Sequence, residues 1–222
     1  MSTSAQPGGP RKRLSAAERR ELILVAAAAA FAERGYRGAS VDAIAARSGV
    51  TPPVIYEHFG SKRELYRELL ERHYAELRQI WNESFAGDGA PVERVARSLD
   101  AWFAYVEAHP FAGRVLFRPS NDPEIDDVQA EVAESSRRAV MPLFAAEPGA
   151  ENLAGPLAAE GMEMAWVVLR GVLQGLAVWW SDHPEVPRER ILATAMNALW
   201  FGFERVQGGE GWSGAEGEGR RG

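Results

Sequence analysis

The chain has 222 residues, no cysteine, and 25 Lys and Arg against 31 Asp and Glu, a formal net charge of −6. That length can bury a substantial core in one large or two modest domains, and the missing cysteine excludes disulfides, thiolate metal sites, a cysteine nucleophile and thiol redox sensing. No uninterrupted run of 18 apolar residues occurs and no signal peptide opens the chain, so the expectation is a cytoplasmic protein with no membrane partner.

Residues 1–10 are rich in Gly, Pro, Ser and Ala without periodicity and read as disordered, with the basic arm Arg11, Lys12 and Arg13 after them. Ser15 and Glu18 then form a capping box ahead of a helix with Ile23, Ala27, Ala30 and Phe31 on one face, running to Gly35. Ser40 caps a second, short helix carrying Val41, Ile44 and Ala45. Its hydroxyl and the helix N-terminus together suit a phosphate. Gly49 supplies the positive φ of a tight interhelical turn, and Val50 and Ile55 anchor the next helix to a small core. Thr51 is placed to cap this third helix, its hydroxyl accepting from a free amide, and Pro52 suits the first helical position. Gly60 ends that helix after about two turns. Ser61 and Glu64 form another capping box, so a longer helix starts at Lys62 and runs to about Phe85.

Neighbouring helical positions point about 100° apart, so Ile55 turned inward places Tyr56 outward. With His58 and the N-terminal Thr51, Pro53 and Val54, Tyr56 forms a surface suited to a DNA groove, while Phe59 and Leu65 read as core. Charge is divided in the same way. Residues 1–65 hold ten Lys and Arg against six Asp and Glu, a balance of +4, and the remainder fifteen against twenty-five, a balance of −10. An acidic distal part is compatible with DNA binding, because affinity depends on the local field at the phosphates.

Further helices are expected at 92–109, with Val95, Leu99, Trp102, Phe103 and Val106 at helical spacing, then near 111–117 and 124–144, either side of a Pro119–Pro123 turn. A loop at 147–156 precedes a helix over 157–181, where Met162, Trp166, Leu169, Leu173, Leu176 and Trp180 keep one apolar face through about five turns. A last helix over about 188–206 carries Leu192, Met196, Leu199, Phe203 and Val206. Gly171 and Gly175 each cost about 1 kcal/mol relative to Ala inside a helix. Lying on one face, they either admit a close helix or leave room for a ligand. The tail 207–222 is rich in Gly and Glu and reads as disordered. Its Gly209-x-Gly211-x-x-Gly214 spacing has no strand before it and no helix after it, and is accidental as a nucleotide-binding fingerprint.

Residues 16–70 or so resemble the TetR family of transcriptional regulators. The family pattern is matched by Phe31, Gly35 and Tyr36; by Ser40, Val41, Ile44, Ala45, Ser48, Gly49 and Val50; by Tyr56, His58 and Phe59; and by Lys62 and Leu65. The resemblance implies an all-α chain with a three-helix helix-turn-helix DNA-binding domain at 11–60, and a connecting helix with a ligand-binding and dimerisation bundle at 61–206. It implies that Tyr56 and Lys62 grip phosphates while Pro53, Val54 and His58 approach bases. Pro52-Pro53 departs from common family members and leaves few polar groups for direct readout. The resemblance also implies a small-molecule cavity in the distal half, for which Trp102, Phe103, Phe111, Phe117, Met162, Trp166 and Leu169 are the candidates. A homodimer built on Gly171, Gly175, Leu192, Met196, Leu199 and Phe203 is implied as well. The expected function is a ligand-responsive regulator, a repressor on a palindromic operator, released by an apolar or aromatic molecule, with no cofactor. The arm at Arg11–Arg13 is then either a solvated tail or a DNA contact.

Two other functions are weighed against it. A helical scaffold would keep the motif without ligand control. A magnesium-dependent helical enzyme would use Asp126, Asp127 and Glu131, which share a helix face, yet a second aspartate cluster is missing and a solvated acidic face accounts for them. His58, His73, His109 and His183 are scattered, no H-E-x-x-H or G-x-S-x-G occurs, and neither catalysis nor a metal site is expected.

Overall fold

A computed structural model describes residues 14–117, 122–146 and 158–207, those at 158, 159 and 201–207 in backbone only. Among the described residues there are nine helices and no strand, in two compact units that divide after Tyr66. The expected terminal tails, the Pro119–Pro123 turn apart from its last two residues, the loop at 147–156 and the Phe203 side chain lie outside the described residues.

The first unit begins with α1 (Ala16–Gly38), whose capping box closes in both directions: Glu18 N–H donates to Ser15 Oγ at 3.1 Å, and Ser15 N–H to Glu18 Oε2 at 2.7 Å. Its regular part stops at Gly35, where φ is 67° and ψ 174°, values that a side chain would strain. The break turns Tyr36 back onto Phe31, ring centroids 5.8 Å apart, and Tyr66 meets both edge-on at 5.1 and 5.4 Å. α2 (Val41–Ser48) starts at Ser40, whose hydroxyl accepts from Ala43 N–H at 3.1 Å, and ends on left-handed Gly49. α3 (Pro52–Phe59) comes directly after and ends on Gly60, φ 71°. Ile23, Ala27, Phe31, Ile44, Ala45, Ile55, Phe59 and Leu65 close the core between these helices. Truncating one of the larger members to Ala would cost about 2–5 kcal/mol.

Two capping expectations are corrected. Thr51 is the N-cap residue of α3, but its side chain makes no capping bond. A capping hydroxyl accepts from the amide at the second or third helical position. Pro53 has no amide hydrogen, and Val54 N–H donates instead to the Thr51 carbonyl at 3.0 Å. The Ser61 box forms by half: Glu64 N–H donates to Ser61 Oγ at 3.0 Å, while Ser61 N–H goes to the Phe59 carbonyl at 2.7 Å.

α4 (Lys62–Phe85) carries the division between the units. The second unit continues with α5 (Pro91–Ala108), α6 (Ala112–Val115), α7 (Asp126–Ala145), α8 (Ala158–Ser181) and α9 (Arg188–Gln207). α9 packs on α5 and α8, and Arg188 fastens α9 to α5 through Asp100 at 3.0 Å and Glu107 at 2.8 Å. α6 crosses α8 at Gly113, where a Cβ would lie 2.6 Å from the Ala177 carbonyl oxygen. Trp180 Nε1 donates to the Val186 carbonyl at 2.8 Å and closes the turn between α8 and α9.

Candidate nucleic-acid interface and ligand cavity

The interface candidate is built by α2 and α3. Ile55 and Phe59 are buried one turn apart, which fixes the roll of α3 and leaves Tyr56 49% exposed. Thr51 and Pro53 are exposed at the start of the helix, and Pro52, Val54 and His58 are half-buried. Ser40 is exposed at the α2 N-terminus. Lys62 opens α4 with its Nζ 4.3 Å over the Tyr36 ring, so the aromatic cluster of the core also positions this cation. Arg47, beside the turn, pairs with Glu33 at 2.9 Å on the surface.

The C-terminal end of α3 has a brace that no sequence signal indicates. Arg20, from α1, donates through Nη1 to the His58 carbonyl at 2.6 Å, and its guanidinium carbon stands 4.3 Å over the Phe59 ring. A cation at a helix C-terminus satisfies an orphan carbonyl and complements the helix dipole.

In the second unit a small cavity of about 50 Å³ is lined by Trp102, Phe117, Trp166 and Leu169 together with residues of α4, α7 and α8. It shares Tyr74, Phe117, Ala133, Arg170 and Gln174 with a wider cleft of about 530 Å³, whose rim holds Asp126, Glu134, Arg137 and Arg170. A cleft of that size is within the usual range for small-molecule sites. Trp166 Nε1 is buried and has no hydrogen-bond partner among the described residues. Of the other candidates, Phe103 is fully buried against Trp102 and Trp180, Phe111 packs on His73 and His109, and Met162 is half-buried. None of these three lines the cavity or the cleft. A helix spacing gives a face but not its neighbour, and these three faces meet other partners.

The carboxylates of α7 have separate duties. Glu131 pairs with Arg67 at 2.6 Å, Asp127 Oδ1 accepts from Val128 N–H at 2.9 Å, and Asp126 stands on the cleft rim. Elsewhere in the second unit, His73 and His109, scattered in the sequence, come together with Glu76 and Tyr105. Burial pushes the His73 ring down to about 4, so it is neutral at pH 7, and the same burial raises the Tyr105 phenol above its ordinary value.

On α8, Met164, Val167 and Val168 are 60%, 62% and 59% exposed, Trp179 is exposed, and an added Cβ at Gly171 or Gly175 would meet nothing within 4 Å. The expected close helix is therefore not supplied by the described residues of this chain. By length and composition alone, Glu160–Ser181 is apolar enough to cross a membrane. Leu192, Met196 and Leu199 on α9 are half-buried.

Residues 23–69 match the family model described as bacterial regulatory proteins, tetR family. The chain is 28% identical over 203 residues to the HTH-type transcriptional activator FasR of Mycolicibacterium smegmatis, covering 90% of each sequence. It is 36% identical over 91 residues to the HTH-type transcriptional repressor KstR2 of Mycobacterium tuberculosis, 41% of this chain and 46% of that one. The fold matches a TetR-like transcriptional regulator from Rhodococcus with a TM-score of 0.69 at 22% identity, covering 86% of this chain and 99% of that one. It also matches FadR from Bacillus subtilis, solved in complex with stearoyl-CoA, with a TM-score of 0.65 at 17% identity, again over 86% and 99%.

Proposed function

This chain belongs to the TetR family of bacterial regulatory proteins, and on that premise we propose that it is a cytoplasmic, ligand-responsive repressor that binds a palindromic operator as a homodimer. The observation that carries the proposal is the roll of α3, with Ile55 and Phe59 buried and Tyr56 outward between two positive-φ glycines, Gly49 and Gly60. Tyr56, Lys62 and Ser40 hold phosphates and set the register, while Pro53, Val54 and His58 meet base edges. The half-sites lie about one helical turn apart or somewhat more.

The second copy is supported by the exposed stripe on α8. An uncovered apolar face of this kind marks an association surface, and Gly171 and Gly175 allow a partner backbone to approach closely. Two helices from each protomer make a four-helix interface, with Leu192, Met196 and Leu199 on α9 contributing. Glu160, Glu163 and Arg170 along α8 favour a protein partner over lipid.

The effector is an apolar molecule with an acidic head. Most of its apolar part takes the cleft of about 530 Å³, with only its end reaching the small adjoining cavity at Trp102, Phe117, Trp166 and Leu169, and its head meets Arg137 and Arg170 on the cleft lining. The stearoyl-CoA held by FadR of Bacillus subtilis is a molecule of that description. The effector releases DNA by binding the DNA-incompetent state more tightly. The match to an activator over 90% of the chain supports a second reading, activation from the same site.

The test is fluorescence polarisation of the purified chain on DNA from upstream of its own gene, across a salt series, with Tyr56→Ala as control. Tight, salt-sensitive, Tyr56-dependent binding by two protomers supports the proposal, and an acyl-CoA series then reads release. Binding no better than to random DNA, after ligand removal and selection from random sequences, overturns it. A reporter placed behind the bound site separates repression from activation.

A further inference from the structure

We propose that His73, Glu76 and His109 form a binding site for a divalent transition-metal cation of the zinc class, with a fourth position left open. One donor atom from each residue lies within 4.8 Å of the other two. His73 and Glu76 stand three apart on α4 and share a face, while His109 comes from the C-terminal end of α5.

The donors are held close to a metal-binding arrangement. His109 Nδ1–H donates to the Tyr105 carbonyl at 2.8 Å, which leaves Nε2 with its lone pair for a metal. Backbone carbonyls hold the outer nitrogen of metal-bound histidines in this way. Arg72 Nε lies 3.4 Å from Glu76 Oε1, and the other oxygen, Oε2, stands 3.6 Å from His73 Nδ1. The Tyr105 hydroxyl is hydrogen-bonded to that same Nδ1. Phe111 meets the His73 ring edge-on at 4.8 Å and shields it. His73 is buried, and the half-buried Glu76 and His109 leave a way in.

Two imidazoles and one carboxylate match the ligand set of three-ligand zinc sites and do not suit magnesium or calcium, which take oxygen donors. Around a bond of about 2.1 Å, tetrahedral donors lie roughly 3.4 Å apart, so donor-atom shifts of up to about 1.4 Å close the site. As His73 turns to the metal, the Tyr105 hydroxyl exchanges His73 for Glu76. The competing account is a polar cluster that joins α4 to α5 by hydrogen bonds alone.

The test uses the full, tag-free chain, stripped with a chelator and titrated with Co²⁺, then Zn²⁺. The expected result is one Co²⁺ per chain with the visible absorption of a low-coordinate nitrogen and oxygen site, displaced by Zn²⁺. Glu76→Gln and His109→Gln each weaken binding by about tenfold or more. Both sit at the accessible side of the cluster, and circular dichroism reports whether each folds; if one does not, the other decides. No visible band in the wild-type chain, or a band unchanged in a folded variant, overturns the site and leaves the hydrogen-bonded cluster.

Discussion

The guanidinium of Arg20 grips α3 from behind, donating to the His58 carbonyl at 2.6 Å while covering the Phe59 ring at 4.3 Å. It lies on α1, yet it fixes the end of the helix that the proposed interface depends on. Arg20→Ala should lower the thermal stability of the head by about 1–2 kcal/mol, through a lost charged hydrogen bond and a lost cation–π contact. DNA affinity should fall with it. Lys at this position should restore part of the stability, since a compact ammonium cannot both stack and donate in the same geometry. Thermal melts and polarisation titrations of the three proteins check this.

Tyr56→Ala should leave the helical signal unchanged and the unfolding free energy within about 0.5 kcal/mol of the parent, because the side chain is 49% exposed and packs little. Operator affinity should fall at least tenfold. Tyr56→Phe separates the hydroxyl from the ring, and a phosphate contact through the hydroxyl predicts that Phe is nearly as weak as Ala.

Two glycines should respond in opposite ways. Gly113→Ala places a Cβ 2.6 Å from the Ala177 carbonyl, and backbone cannot move aside cheaply. It should destabilise the distal unit by about 1–3 kcal/mol. Gly171→Ala meets nothing within 4 Å. It should strengthen the isolated helix by up to about 1 kcal/mol while weakening self-association. Sedimentation velocity alongside thermal melts distinguishes the two.

Trp166→Phe removes a buried N–H that has no partner among the described residues. An unmet donor costs about 1–3 kcal/mol, so the ligand-free protein should become more stable or remain unchanged. An effector that accepts from this N–H should bind the variant more weakly. Calorimetry on the two proteins with one acyl-CoA reads both effects.

The head was legible in the sequence because its instructions are local. Ser15 with Glu18, Ser40, Gly49 and Gly60 each act within one turn, and each does in the structure what its type dictates. Thr51 misled because a cap needs a donor as well as an acceptor, and Pro53 removes one while Val54 spends the other on a carbonyl. In the distal unit the helices were readable from spacing, but their neighbours were not. Phe103 and Phe111 lie on apolar faces as expected, yet Phe103 faces Trp102 and Trp180, and Phe111 faces two histidines. His73 and His109 are far apart in the chain, and the meeting of α4 with the end of α5 is written in no motif. Gly113 showed no signal at all, since its reason is the carbonyl of Ala177.

The paired prolines at the start of α3 carry a consequence for how this protein would experience its genome. With Pro52 and Pro53 in place, the first two positions of α3 present hydrocarbon where helices normally present amide hydrogens, and Val54 extends that surface. At the proposed interface such a surface discriminates by fitting the 5-methyl group of thymine. A cytosine methylated at carbon 5 carries the same group in the same place. Operator occupancy should then rise where such a cytosine stands in the contacted step, making the protein sensitive to the epigenetic state of its own binding site.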